Sequence, residues 1–353
     1  MMLHYIGTGY RGSSSNESMR FLATEKILRL KGPRLLHVVV LCTSLCLTLF
    51  IGCKPSELPD AEQVKVWGSR GIDPGRFQTP RAIAFGPDKN LYIVDKLGQI
   101  QVFDQAGSFL RRWRTPATEF GKPCGLSFSN DGLLMVADTH YFRILFYELD
   151  GTLVESRTIG GKNGKGPGEF GFVTDIVQDP LGNYYVSEYG DFDRIQKFSP
   201  AGEYQFEWGG HGEGDYEFMR PQSLALDELG RLWVADACNH RIQIFEISEK
   251  SAKLVQTIGH AGPEPGELKY PYAILLNDDK TFYVCEFGNH RLQKLDREGK
   301  SLGIFGSAGK APGQFHQPWA FVIDDERRVH MLDTYNHRVQ SYPEQLVREK
   351  IEN

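Results

Sequence analysis

The sequence predicts an all-β protein, a six-bladed β-propeller with four antiparallel strands per blade, closed by the N-terminal strand completing the last blade. Three observations predict it. First, a residue that is usually Pro is followed fifteen positions later by an acid, six times: Pro80/Asp95, Pro123/Asp138, Val173/Glu188, Pro221/Asp236, Pro271/Glu286 and Pro318/Asp333. Successive acids are 43, 50, 48, 50 and 47 residues apart, a period that belongs to propellers, since solenoid repeats are usually shorter. Second, each unit holds four short β-type segments with no helical periodicity between them. Third, the last unit stops after its third segment, while an unassigned segment, Val64–Gly68, precedes the first.

The fourth unit shows the pattern most clearly. Ser223–Asp227 reads as the first strand, Glu228-Leu229-Gly230 as a turn and Arg231–Asp236 as the second strand. A polar loop, Ala237–His240, leads to Arg241–Phe245, and Leu254–Ile258 is the fourth strand. The ending of Val64–Gly68 matches the fourth strands at Glu207-Trp208-Gly209 and Thr257-Ile258-Gly259, so it is expected to zip onto Val339–Pro343 and hide two sheet edges. Trp67, Trp113 and Trp208 share the end of the fourth strand with Ile159, Ile258 and Phe305, and read as a packing layer.

Outside residues 62–343 the composition changes. Five basic residues from Arg20 to Arg34 precede an apolar run, Leu35–Gly52, which ends at Cys53. This is the order of a secretory leader. Phe50-Ile51-Gly52-Cys53 is similar to a lipobox, which makes Cys53 the expected lipidation site. The 18-residue run is also just long enough for an uncleaved anchor. Residues 1–53 are thus read as a leader or anchor, 54–61 as a tether and 344–353 as a charged tail. The expected location is extracytoplasmic and membrane-anchored, as in a bacterial envelope lipoprotein. The chain beyond Cys53 carries 34 Lys and Arg against 43 Asp and Glu. An acidic domain of this kind is a poor phosphate-backbone binder, so nucleic acid is an unlikely partner. Cys124, Cys238 and Cys285 are odd in number and suggest no disulfide framework.

The residues resemble the NHL repeat family. Three units carry its spacing: Asp236-Ala237-Cys238-Asn239-His240-Arg241, Glu286-Phe287-Gly288-Asn289-His290-Arg291 and Asp333-Thr334-Tyr335-Asn336-His337-Arg338. The preceding Pro-Gly-x-Phe-x-x-Pro element fits as well, as in Pro74–Pro80 and Pro312–Pro318. The resemblance implies a six-bladed propeller over residues 62–343, but it does not imply an activity, because such folds serve as interaction platforms, sensor ectodomains and occasionally enzymes.

What recurs in every unit is expected to be scaffold. The acid–Arg pairs Asp138/Arg143, Glu188/Arg194, Asp236/Arg241, Glu286/Arg291 and Asp333/Arg338 read as turn carboxylates tied to guanidinium groups. His240, His290 and His337 occupy equivalent positions on separate blades, too far apart to share a metal. Sites are sought where units differ. The residue after the usual Pro is expected at the channel mouth, giving Arg81, Cys124, Thr174, Gln222, Tyr272 and Trp319, with Asp175 beside Thr174. A second candidate is a rim patch of His140, Tyr141, Phe142, Tyr189, Asp191 and Phe192. No catalytic residue, metal ligand set or cofactor is expected. The leading function is a non-catalytic binding module for a protein, peptide or glycan. The alternatives are a metal-dependent enzyme similar to peptidylglycine amidating lyase, for which His211, His260 and His316 sit at unequal offsets, or a calcium lactonase, for which only Asp175 is near the expected place.

Overall fold

The computed structural model describes residues 61–277 and 279–348. Six four-stranded sheets succeed one another along the chain, each with its strands in sequence order except the last. Blade one comprises Pro80–Phe85, Leu91–Asp95, Gln99–Phe103 and Phe109–Arg114. Blade four comprises Pro221–Leu226, Leu232–Asp236, Arg241–Ile247 and Ala252–Ile258. In blade six, Lys65–Trp67 lies outside Arg338–Pro343, with Lys65 opposite Ser341 and Trp67 opposite Val339. The ring is therefore closed by the N-terminal strand, and Trp67 Nε1 donates to Ser341 Oγ at 2.8 Å.

The alternation along each strand sends side chains toward the two neighbouring blades in turn. Six apolar clusters accordingly form, one at each blade interface, and a seventh gathers Cys124, Ala237, Tyr272 and Trp319 from different blades. Phe77, Ile93 and Phe103 of the first unit meet Leu332 and Val339 of the sixth. No blade buries its own core, so stability is shared between neighbours around the ring.

The loop before each usual Pro explains the recurring sequence. In the fourth unit Gly209 ends the outermost strand of blade three with φ +114°, and its missing side chain leaves room for Phe218, whose ring would stand 2.9 Å from a Cβ there. Phe218 then packs into the blade three–four interface. The acids tie this loop down. Asp236 accepts the Met219 amide at 2.7 Å and Arg241 Nε at 2.8 Å, while Arg241 donates to the carbonyls of Glu213, Gly214 and Glu217. Burial raises the Asp236 carboxyl pKa, against the lowering effect of these bonds.

The three equivalent histidines join blades. His240, His290 and His337 each adopt a left-handed backbone, φ near +56°. Their Nδ1 atoms accept the backbone N–H of Tyr270, Gln317 and Thr79, one blade on, at 2.9 to 3.0 Å. Asp193 does the same work in blade three, accepting the Arg220 amide at 2.8 Å.

Residues Glu344–Leu346 form a short 3-10 turn, and Leu346 and Val347 are buried against the blade five–six cluster. Arg348 then bridges to Ile304 on the outermost strand of blade five, its carbonyl accepting the Ile304 amide at 3.0 Å. Cys53, the leader and residues 349–353 lie outside the described residues.

Candidate binding site at the channel mouth

The innermost strands surround a channel of about 430 Å³. In blades one, three, four and five the ladder between first and second strands slips by one residue after the usual Pro. The extra residue is Arg81, Thr174, Gln222 or Tyr272 respectively. A β-bulge of this kind re-aims one side chain without disturbing the rest of the strand, which is why the position after the Pro is free to vary.

Arg81, Cys124, Gln222, Tyr272, Trp319 and Asp175 all line the channel. Thr174 does not. Its hydroxyl donates to Pro221 O at 2.6 Å and lies 2.7 Å from Ser187 Oγ, inside the blade three–four seam.

Aromatic rings and two guanidinium groups crowd the mouth. Tyr272 stacks on Phe287 at 4.5 Å and meets Trp319 edge-on at 5.0 Å. Arg81 Cζ lies 4.8 Å from the Trp319 ring centre. Arg220 Cζ lies 4.8 Å from Tyr189 and 5.3 Å from Tyr272, and its Nε donates to Gln222 Oε1 at 2.9 Å. Such cation–π contacts are worth about 0.5–2 kcal/mol each, depending on desolvation. Among the described residues neither guanidinium has a carboxylate within ion-pair distance, and Arg81 Nε and Trp319 Nε1 are buried donors without an acceptor. Burial pushes the Tyr272 phenol up to about 12, so it stays a neutral donor.

The rim patch divides. His140 lies 5.0 Å from Phe172, and Phe172 lies 5.3 Å from Tyr189, which sits beneath Arg220. His140 and Tyr189 thus continue the mouth outward, and Phe142 packs on the same Phe172 ring at 6.0 Å. Burial, then the charges of Lys122 and Arg81, lower the His140 pKa and favour the neutral ring. Tyr141 turns instead toward Phe120, whose amide donates to its hydroxyl at 3.1 Å. Asp191 and Phe192 line a separate depression of about 290 Å³ with Arg194 and His211.

Sequence reasoning missed Arg220 and Phe287 as mouth residues. They flank the repeated markers, Arg220 just before Pro221 and Phe287 just after Glu286, and nothing local distinguishes them. It also missed a buried Ser–His–Asp chain. His330 lies 2.8 Å from both Ser341 Oγ and Asp324 Oδ2, and all three are enclosed. The Ser341 hydroxyl already holds Trp67, so this chain secures the closing strand and offers no access to a substrate.

Deeper in the channel Asp175 accepts the amides of Leu224 and Ile176, both at 2.9 Å. Burial nevertheless pushes its carboxyl up to about 7. Among the described residues no Glu or Asn lines the channel with it. No group of three His, Cys, Asp or Glu side chains converges as a metal site among the described residues. His211 pairs with Asp193 and His260 with Glu267, in different interblade loops.

The fold and mouth define a closed six-bladed propeller with a polar-aromatic channel entrance. A family model described as NHL repeat matches residues 218–245, the end of the interblade loop and the first three strands of blade four. NHL repeat-containing protein 3 of Mus musculus is 30% identical over 164 residues, which is 43% of this chain and 46% of that protein. Its Homo sapiens namesake is 30% identical over 162 residues, with the same coverage. The chain thus aligns with about half the length of these curated relatives. Among solved structures, streptogramin B lyase superposes with a TM-score of 0.54 at 13% identity, over 79% of this chain and 96% of that one. An auxiliary nutrient binding protein from Bacteroides ovatus gives 0.59 at 15% identity, over 79% and 75%. At such identities the likeness carries the fold alone. The chain thus carries an NHL repeat in blade four and is similar to NHL repeat-containing proteins over part of its length.

Proposed function

We propose that this protein is a non-catalytic binding propeller whose channel mouth takes an acidic peptide segment of a partner protein. One observation carries the reading: two guanidinium groups lie over aromatic rings without a carboxylate partner among the described residues, beside the unpaired Trp319 Nε1. A carboxylate would satisfy these donors, and the rings supply the flat apolar contact that commonly anchors an interface. Export and membrane attachment through Cys53, or through an uncleaved Leu35–Gly52 anchor, complete the proposal. The lyase and lactonase alternatives draw less support, since the polar atoms left unpaired at the mouth are the Arg81 and Trp319 donors.

The test titrates the full-length chain in detergent with peptides ending in a free carboxylate, read by tryptophan fluorescence. Binding is expected to saturate and to weaken about tenfold or more in Arg81→Ala and Arg220→Ala. The same peptides with an amidated C-terminus should bind less. Saturable binding that ignores both substitutions, or no binding at all, overturns the proposal.

A further inference from the structure

Blade two breaks the scaffold rule that the other five blades keep. In those five, the ring or branched side chain three residues before the Pro position is fully enclosed: Phe77, Phe170, Phe218, Leu268 and Phe315 all have 0% exposure. The second unit retains the residue, as Phe120, yet it is 61% exposed. The covalent reason is visible in the sequence. From the end of the outermost strand to the Pro is thirteen positions at Trp67/Pro80, Trp208/Pro221, Ile258/Pro271 and Phe305/Pro318, but ten at Trp113/Pro123. The next residue is a glycine with positive φ at Gly68, Gly160, Gly209, Gly259 and Gly306. Here it is Arg114, which stays in the strand opposite Gln99 and points to solvent. The short segment cannot turn back, and Phe120 is carried outward.

The receiving groups remain inside. In the other blades the repeated acid accepts an amide from its loop: Gln78 to Asp95, Gly171 to Glu188, Met219 to Asp236, Lys269 to Glu286 and His316 to Asp333. Asp138 receives none. Its Oδ2 holds Arg143 Nε at 2.9 Å, while its Oδ1 is buried without a partner. Arg143 Nη2, whose counterparts in Arg194, Arg241, Arg291 and Arg338 donate to loop carbonyls, is likewise unpaired, and so is the enclosed Tyr147 hydroxyl. One unmet acceptor and two unmet donor groups thus lie on the second and third strands of a single blade. Buried polar groups left unpaired destabilise the fold, and a ligand that pairs them relieves that cost.

We propose that the blade one–two seam is a loop-acceptor site, filled in trans by an extended peptide segment of a partner protein that carries a Phe or Leu. The five intact blades define the ligand. Its amide donates to Asp138 Oδ1, a carbonyl accepts from Arg143 Nη2, and its apolar side chain packs against Tyr147, as Phe218 packs near Phe245 at 5.9 Å in blade four. Exposed Phe120 and half-buried Tyr141 mark the rim, which is the apolar contact that draws such a segment in. The site uses residues other than those of the channel mouth and stands without that reading.

The probe is a labelled peptide copying residues 309–317, the loop that fills the equivalent seam of blade six, titrated into the full-length chain and followed by anisotropy. Saturable binding is expected. It should weaken about tenfold or more when Phe315 of the peptide is replaced by Ala, and similarly in Asp138→Asn of the chain. Arg220→Ala, at the mouth, should leave it unchanged. The peptide substitution needs no change in the protein, so a misfolded variant cannot mimic the result. Absent binding, binding indifferent to the peptide Phe, or binding lost in Arg220→Ala and retained in Asp138→Asn overturns the proposal.

Discussion

Trp67→Ala tests whether the N-terminal strand locks the ring. Trp67 lies 4.9 Å from Phe103 and 6.2 Å from Phe77, both fully enclosed, and covers Gly107, where a Cβ would stand 2.7 Å from the indole. Its Nε1 bond to Ser341 ties it to the His330–Asp324 chain. Truncating a large aromatic costs about 3–5 kcal/mol, and the partial exposure of Trp67 places it near about 3 kcal/mol. In a domain of this size about 2 °C of Tm accompanies each kcal/mol, so the expected fall is roughly 6 °C. Trp67→Phe keeps most of the packing and removes the donor, and should cost about 1 kcal/mol, or roughly 2 °C. Thermal unfolding followed by near-ultraviolet circular dichroism reads both. A Trp67→Ala protein melting within about 1 °C of the parent would refute the closure energetics.

Two further outcomes follow from the same geometry. Asp175 has a raised carboxyl pKa, so its contribution is present at low pH and is lost as pH rises through about 7. His240, His290 and His337 have lowered pKa values, burial being the largest cause, so their contribution is present above the ordinary imidazole value and is lost as pH falls below it. Between the ordinary carboxylate range and about pH 7 the Asp175 contribution falls while the histidine contribution rises, and above it both are level, so the melting temperature of Asp175→Asn relative to the parent should climb progressively over that window; a difference that stays constant with pH would refute the assignment. Gly303→Ala places a Cβ 2.6 Å from Val347 O and 2.7 Å from Arg348 Cα, both backbone atoms that cannot swing aside. Hydrogen exchange at the Ile304 amide should rise as the 346–348 segment lifts, at a cost of about 1–3 kcal/mol; unaltered protection would show that the segment does not depend on that glycine.

The ring was legible because its markers are local and repeated. Pro221 and Asp236 face each other across one pair of strands, so their fixed spacing reports a fixed register. The unassigned Val64–Gly68 had to pair somewhere, and blade six lacked a strand. The mouth was only partly legible. The bulge positions Arg81 and Tyr272 were marked by the preceding Pro, but Thr174 occupies the same position and turns into a seam, because Ser187 and Pro221 O are within its reach. Arg220 carries no marker at all. It reaches the mouth because its left-handed backbone, φ +62°, is pinned by Asp193 of the preceding blade.

By itself the sequence determined the number of blades, their strand content, the point of closure and the identity of the scaffold acids, since each follows from covalent spacing and alternation. Only the tertiary structure decided which side chains meet at the axis and which partners go missing. Arg81, Arg220, Tyr272 and Trp319 come from four different blades, and Phe120 looks like its five counterparts until the short segment behind it is laid across the seam. Those outcomes depend on distances between chain segments some forty or more residues apart, which no local pattern encodes.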